Sequence, residues 1–269
     1  MKRSIEDTSI VMVGAGNLAT HLARAFYRKG FRILQVYSRT LESAACLAQE
    51  VEADPVTDLS QLAPRARLYV ASLTDEVLPR LVPQLVHGRE DSLWVHTAGS
   101  LPMELWAGHA RRYGVFYPMQ TFSKQREVDF GRIPVFVEGC DAETTGFLRA
   151  VAGAITTQVY EATSVQRRYL HLGAVLACNF TNHLYALASD LLSRHGLPFE
   201  SLWPLIDETA HKIHELSPCQ AQTGPAVRGD RHVMDEHLRL LADDPYLSEV
   251  YRLLSRGIET LRQPSITNH

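Results

Sequence analysis

Gly14, Gly16 and Ala19 form the pattern G-x-G-x-x-A, directly after the apolar run Ile10-Val11-Met12-Val13 and directly before an amphipathic stretch. Gly14 permits a turn that a side chain would obstruct, Gly16 lets the main chain approach a ligand closely, and Ala19 keeps the new helix against its strand. Ala15, Gly16, Asn17 and Leu18 then present the unpaired N–H groups of a helix start, with the positive end of the helix dipole behind them. That arrangement holds a pyrophosphate, so the chemistry it points to is dinucleotide binding. A turn with a purely structural role is the alternative.

The strand expected over Phe31–Tyr37 ends in Ser38-Arg39-Thr40. About 20 residues beyond such glycines, an acidic residue would accept hydrogen bonds from a ribose hydroxyl of NAD. No acid stands there. Two hydroxyls and a guanidinium suit the extra phosphate of NADP instead, and Arg39 is also able to stack on adenine. The competing reading makes Arg39 a solvated residue opening the next helix.

Other candidates lie where strands end: Leu73-Thr74, His96-Thr97-Ala98-Gly99-Ser100 and Pro118-Met119-Gln120-Thr121. Of these, Leu73, Thr74, Thr97, Ala98, Gly99 and Gln120 are expected beside the cofactor. His96 is either a proton donor or a buried histidine satisfied by a backbone carbonyl. On the long helical run that follows, His171, Cys178 and Asn182 fall within about 20° of one face at 100° per residue, with Asn179 beside them. These polar groups either line a wet cleft or bond neighbouring helices. His171 and Asn182 are the catalytic candidates, and Asn179 a substrate contact. The turn-rich segment 217–230 adds Thr223 and Arg228, the latter suited to forked binding of a carboxylate or to an ion pair with Asp230 or Glu208. His211 with His214 and His232 with His237 lack the spacing of a helical zinc site, and no metal is expected.

These residues need elements to hold them. Strands are expected at Ile10–Val13, Phe31–Tyr37, Leu68–Leu73, Ser92–His96 and Gly114–Tyr117, with two more near Pro134–Val137 and Thr157–Tyr160. Helices lie between most of them. One is expected to start at Thr74-Asp75-Glu76, on capping grounds. The alternation implies an α/β fold, a doubly wound and mostly parallel Rossmann-like sheet with ligands at the carboxyl ends of its strands. From about residue 164 the strand signals stop. One helical run spans Gln166–Ser193, and others lie around Glu200–Leu216, His232–Leu241 and Tyr246–Leu261. The expected division is a cofactor domain over 1–162 and an all-helical domain over 163–269. The helical part is small for a core of its own and is expected to form a homodimer.

The chain has 269 residues, 45% of them hydrophobic, and a formal charge of -3. With no run of lysines and arginines, small molecules are expected as partners rather than nucleic acid or membrane. Met1-Lys2-Arg3 is interrupted by Glu6 and Asp7, and the apolar run that follows enters the glycine turn, so a strand is expected there and no signal peptide. No segment approaches the roughly 20 apolar residues needed to cross a bilayer. Four scattered cysteines suggest neither disulfides nor a zinc site, which fits the cytoplasm.

Val13-Gly-Ala-Gly-Asn-Leu-Ala19, Ser38-Arg39 and His96-Thr-Ala-Gly-Ser100 resemble the coenzyme-binding domain of pyrroline-5-carboxylate reductases and coenzyme F420-dependent NADP oxidoreductases. Residues 114–123, His171–His183, Pro204–Thr209 and Gln222–Asp230 resemble the Rossmann-like proteins with a DUF2520 domain. The resemblance implies an NADP oxidoreductase whose helical domain is similar to that of 6-phosphogluconate dehydrogenase and serves dimerisation. The lysine and asparagine that β-hydroxyacid dehydrogenases place four residues apart on this helix are absent, since His171 is followed by Val175. The substrate loop of the pyrroline-5-carboxylate reductases is matched only loosely, by Ser217-Pro218 and Thr223-Gly224. The leading expectation is an NADP-dependent reductase of a small carbonyl or imine. A dinucleotide sensor or scaffold without turnover is the rival, and hydride exchange between NADP and a deazaflavin a third reading.

Overall fold

The computed structural model describes residues 8–262, so Met1-Lys2-Arg3, Glu6 and Asp7 lie outside it. The strands are β1 (Ser9–Val13), β2 (Arg32–Tyr37), β3 (Asp54–Val56), β4 (Leu68–Ala71), β5 (Leu93–His96), β6 (Arg112–Pro118), β7 (Val135–Gly139) and β8 (Val159–Glu161). They form one sheet in the order β3-β2-β1-β4-β5-β6-β7-β8. All pairings are parallel except β6 with β7, which is antiparallel. The order reverses between β1 and β4, and a crevice at the carboxyl ends of those two strands is the expected ligand site of such a sheet.

Helices α1 (Asn17–Arg28), α2 (Leu41–Glu50), α3 (Leu78–Val86) and α4 (Ala142–Ile155) connect the strands. Along β1, Ile10 and Met12 face one apolar layer with Leu22, Phe26 and Val151, while Val11 and Val13 face another with Tyr69, Leu78 and Trp94. A strand covered on both faces must be apolar throughout, which is why it reads as a continuous run. Ala19, Leu22, Ala23 and Phe26 are the buried stripe of α1. Leu18 lies beside that stripe and is only half-buried. Gly30 ends the helix at φ +84. There, the N–H of Phe31 reaches back to the Phe26 carbonyl at 3.1 Å.

Two expectations change here. The helix expected from Thr74 starts at Leu78, because Thr74–Val77 make a turn in which the Thr74 carbonyl accepts from Val77 and Leu78 at 3.0 Å. The run through 166–193 is α5 (Ser164–Ala174), a π-helical segment Val175–Phe180 and α6 (Thr181–Arg194). A π segment rotates the chain by less than 100° per residue, so the regular spacing that grouped His171, Cys178 and Asn182 on one face is interrupted between them.

The chain forms two compact units that divide after Cys178, inside the π segment. The second unit holds α6, α7 (Trp203–Lys212), α8 (Pro218–Ala221), α9 (Pro225–Arg228), α10 (Arg231–Leu240) and α11 (Pro245–Arg262). The turn-rich segment 217–230 thus contains two single-turn helices, each opened by a proline in its first turn. Among the described residues this unit buries few side chains, such as Met234, Leu241 and Ser248, and exposes Trp203, Leu205, Ile213 and Leu253. No helix among the described residues is long and apolar enough to cross a membrane.

Gly14 adopts φ +123, and a Cβ added there would lie 2.2 Å from the Ser72 carbonyl oxygen. Strain of that kind costs about 1–3 kcal/mol before any clash is counted. Gly14→Ala is therefore expected to lower the urea midpoint measurably, and an unchanged midpoint would show that β1 and β4 need not approach so closely.

Candidate functional site

The loops after β1, β2 and β4 surround a groove of about 670 Å³ whose walls include Gly14, Ala15, Gly16, Asn17, Ser38, Arg39, Leu73 and Thr74. Sheet-like bonds extend into these loops and hold them. Gly14 N–H donates to the Tyr37 carbonyl at 2.8 Å, Ser38 N–H to Val56 at 3.1 Å, and Ser72 N–H to Val13 at 2.8 Å. The N-cap of α1 is Gly16, with no side-chain cap and no acid in the first turn, so the first-turn amides are free to meet an anion.

No Asp or Glu lines the groove, while Arg39 and Lys124 do. Among the described residues the exposed Arg39 makes no hydrogen bond or ion pair, and its guanidinium remains available to a phosphate. Ser43, Ser72 and Lys124 were not expected here. Lys124 stands in an irregular stretch after β6, where no periodic signal marks it. Six expected members lie outside the lining: Leu18, half-buried against the core, Thr40, the exposed N-cap residue of α2, and Thr97, Ala98, Gly99 and Gln120, which follow β5 and β6.

At the ends of β5 and β6 a second cluster forms. Thr97 Oγ1 bonds Ser72 Oγ at 3.1 Å, tying the β5 loop to the groove, and the Ser100 hydroxyl donates to the Asp75 carboxylate. His96 is fully buried. Its Nδ1 accepts from Ala98 N–H at 3.2 Å, and its Nε2 lies 3.3 Å from the Pro102 carbonyl. Burial, helped by the charge of Arg167, holds its pKa down to about 3. The geometry matches the satisfied-histidine alternative and gives His96 the work of shaping its own loop. Gln120 is exposed, with Oε1 accepting from the Thr121 amide at 2.8 Å.

His171 of α5 rests on Gly99, where an added Cβ would come within 2.7 Å of Nδ1. Tyr117 of β6 places its hydroxyl 3.3 Å from the same nitrogen. Burial raises the Tyr117 pKa, against the nearby Arg167 charge.

One helical turn before His171, Arg167 is buried with 1% of its side chain exposed. Its Nε donates to the Ala98 carbonyl at 3.2 Å, Nη2 to the Leu101 carbonyl at 2.5 Å, and Nη1 to Glu138 Oε2 at 2.6 Å. Glu138 also accepts from the Ser164 amide at 2.8 Å and hydroxyl at 2.7 Å. Removing one partner of such a pair costs about 3–5 kcal/mol, because the other charge stays buried. Arg167 escaped notice because its partners are 29 and 69 residues away, although the i, i+4 spacing to His171 does put both on one helix face.

Asn179, Asn182, Thr223 and Arg228 belong to the second unit and are exposed. Arg228 pairs with neither suggested acid among the described residues. Asp230 caps α10 through Val233 N–H at 3.2 Å, and Glu208 pairs with Lys212 at 3.7 Å. No group of three metal-binding side chains converges among the described residues.

Sheet order, glycine turn and crevice define a Rossmann-like α/β protein with a helical second unit. Residues 133–258 match the domain of unknown function DUF2520, and residues 1–77 match the shikimate / quinate 5-dehydrogenase family. A crystal structure from Bacteroides fragilis, described as a candidate NADP oxidoreductase, is 60% identical over 96% of this chain and 100% of its own, with a TM-score of 0.91. The chain belongs to that protein's family, the Rossmann-like proteins with a DUF2520 domain. A Thermotoga maritima protein shares the fold at 21% identity over 95% of this chain and 100% of its own, TM-score 0.80. So does an Aspergillus terreus reductive aminase, solved with NADPH and ethyl-5-oxohexanoate, at 16% identity over 94% and 93%, TM-score 0.72. Comparison with curated proteins returns no match.

The buried His96 has a consequence for acid stability. Between the ordinary value of 6.5 and about 3, the unfolded ring binds a proton that the folded ring refuses, so stability falls as pH falls. The expected slope is about 1.4 kcal/mol per pH unit in that window. His96→Gln should remove this one-proton slope from urea titrations between those limits, and parallel slopes for the two proteins would refute the burial argument.

Proposed function

We propose that this protein is an NADP-dependent oxidoreductase acting on a small carbonyl or imine. The observation that carries the reading is the groove itself, where bare helix amides, Ser38, Arg39 and Lys124 meet with no carboxylate among the lining residues. The Bacteroides fragilis relative, described as a candidate NADP oxidoreductase, supports it. In this reading the first-turn amides of α1 hold the pyrophosphate, and Arg39 and Ser38 hold the 2′-phosphate, with Lys124 as a second cation. The bound cofactor supplies or takes the hydride at its nicotinamide ring. His171 moves the accompanying proton to or from the substrate heteroatom, seated on Gly99 and against Tyr117. On the second unit, Asn182 is kept as a catalytic candidate and Asn179, Thr223 and Arg228 as candidate substrate contacts, Arg228 being suited by its guanidinium to a carboxylate.

Arg39→Ala is expected to weaken NADPH binding about 10–100-fold, the worth of one or two charge-assisted hydrogen bonds, and to leave NADH within about threefold. Fluorescence titration of both nucleotides measures this. Equal weakening would remove the 2′-phosphate from Arg39. Turnover of NADPH with a panel of ketones and imines is the companion assay, and binding without any turnover would favour a sensor.

The exposed apolar side chains of the second unit are proposed to be covered by a second copy of the chain. Sedimentation at micromolar concentration should therefore show a particle of two chains, and a monomer there would contradict the dimer.

A further inference from the structure

His171 is held from two sides. Gly99 leaves room for the ring at a point where a methyl group would collide with it, and the Tyr117 ring meets it edge-on, 6.5 Å between centroids at 68°. Only 8% of Tyr117 is exposed, so its hydroxyl proton needs an acceptor within the protein. Among the described residues the hydrogen-bond partner of that hydroxyl is Nδ1 of His171, at 3.3 Å. The charged groups nearby are engaged elsewhere. Asp75 accepts from the Ser100 hydroxyl, and Arg167 is taken by Glu138 and the carbonyls of Ala98 and Leu101. Burial raises the Tyr117 pKa, so the phenol keeps its proton at neutral pH.

We propose that Tyr117 is a positioning residue whose O–H donates to Nδ1 of His171 and thereby fixes the neutral imidazole with its proton on Nε2. The proposal rests on His171 as the proton carrier and deepens that reading. A ring fixed this way meets the substrate as a hydrogen-bond donor through Nε2–H. The reducible bond must then offer a lone pair, as a carbonyl oxygen or an unprotonated imine nitrogen does and a protonated iminium does not. Arg167 acts on the same assembly from one turn earlier in α5. By holding the carbonyls of Ala98 and Leu101, it keeps the Gly99 seat and the ring on one rigid support.

The test is a long-range proton–nitrogen correlation spectrum of the full-length protein labelled in its histidines, without nucleotide, at a pH where the rings are neutral. The His171 signal is identified by its loss in His171→Gln. The expected wild-type result is the Nε2–H form. In Tyr117→Phe the Nδ1–H form should rise several-fold, while NADPH affinity stays within about twofold. An Nδ1–H ring in the wild type, or an unchanged ratio in Tyr117→Phe, would overturn the proposal. If Tyr117→Phe does not fold, the wild-type spectrum alone decides. Because the sample contains no nucleotide, failure to bind NADPH would sink the functional reading and leave this result standing.

Discussion

The closeness of two backbones at the reversal of the sheet governs this molecule. Gly14, at φ +123, brings the turn after β1 against the Ser72 carbonyl after β4, at a distance that no Cβ could share. Only with that contact do the uncapped amides of α1, the Ser38-Arg39 stretch and the Leu73-Thr74 loop line one groove. The buried strands beneath supply the stability on which this turn rests. Their side chains alternate between two apolar layers, so neither face of β1 can yield without exposing core.

The second fixed point is the ion pair of Arg167 with Glu138. A guanidinium this deeply buried is tolerated because its remaining donors find carbonyls, and those carbonyls belong to the loop that carries Gly99. One interaction thus docks α5 on the sheet, shapes the end of β5 and sets His171 over Gly99. It also explains the state of His96. A ring buried beside this cation has reason to stay neutral, and its two nitrogens are already engaged by the loop's own backbone.

The glycine turn, the apolar strands and the Ser38-Arg39 pair were legible in the sequence because each is a local signal, set by spacing over a few residues. The same alternation indicated a mostly parallel sheet, whereas the order β3-β2-β1-β4-β5 and the short strand β3 came only with the structure. What escaped depends on distance or on competition. Lys124 joins the groove from a stretch without periodicity, and Arg167 finds Glu138 across 29 positions. Thr74-Asp75-Glu76 has the chemistry of a cap, yet the carbonyl of Thr74 closes a turn first and delays α3 to Leu78. The π segment at Val175–Phe180 has no sequence signature comparable to a proline or glycine, and it interrupts the helical face on which His171 and Asn182 had been grouped.

A cation-lined groove without a carboxylate is the central claim, and the nucleotide preference of the wild-type protein tests it most directly. Calorimetric titration with NADPH and NADH under one buffer and salt condition should show NADPH binding at least about tenfold more tightly, a difference of about 1.4 kcal/mol. Equal affinities, or a preference for NADH, would contradict the account.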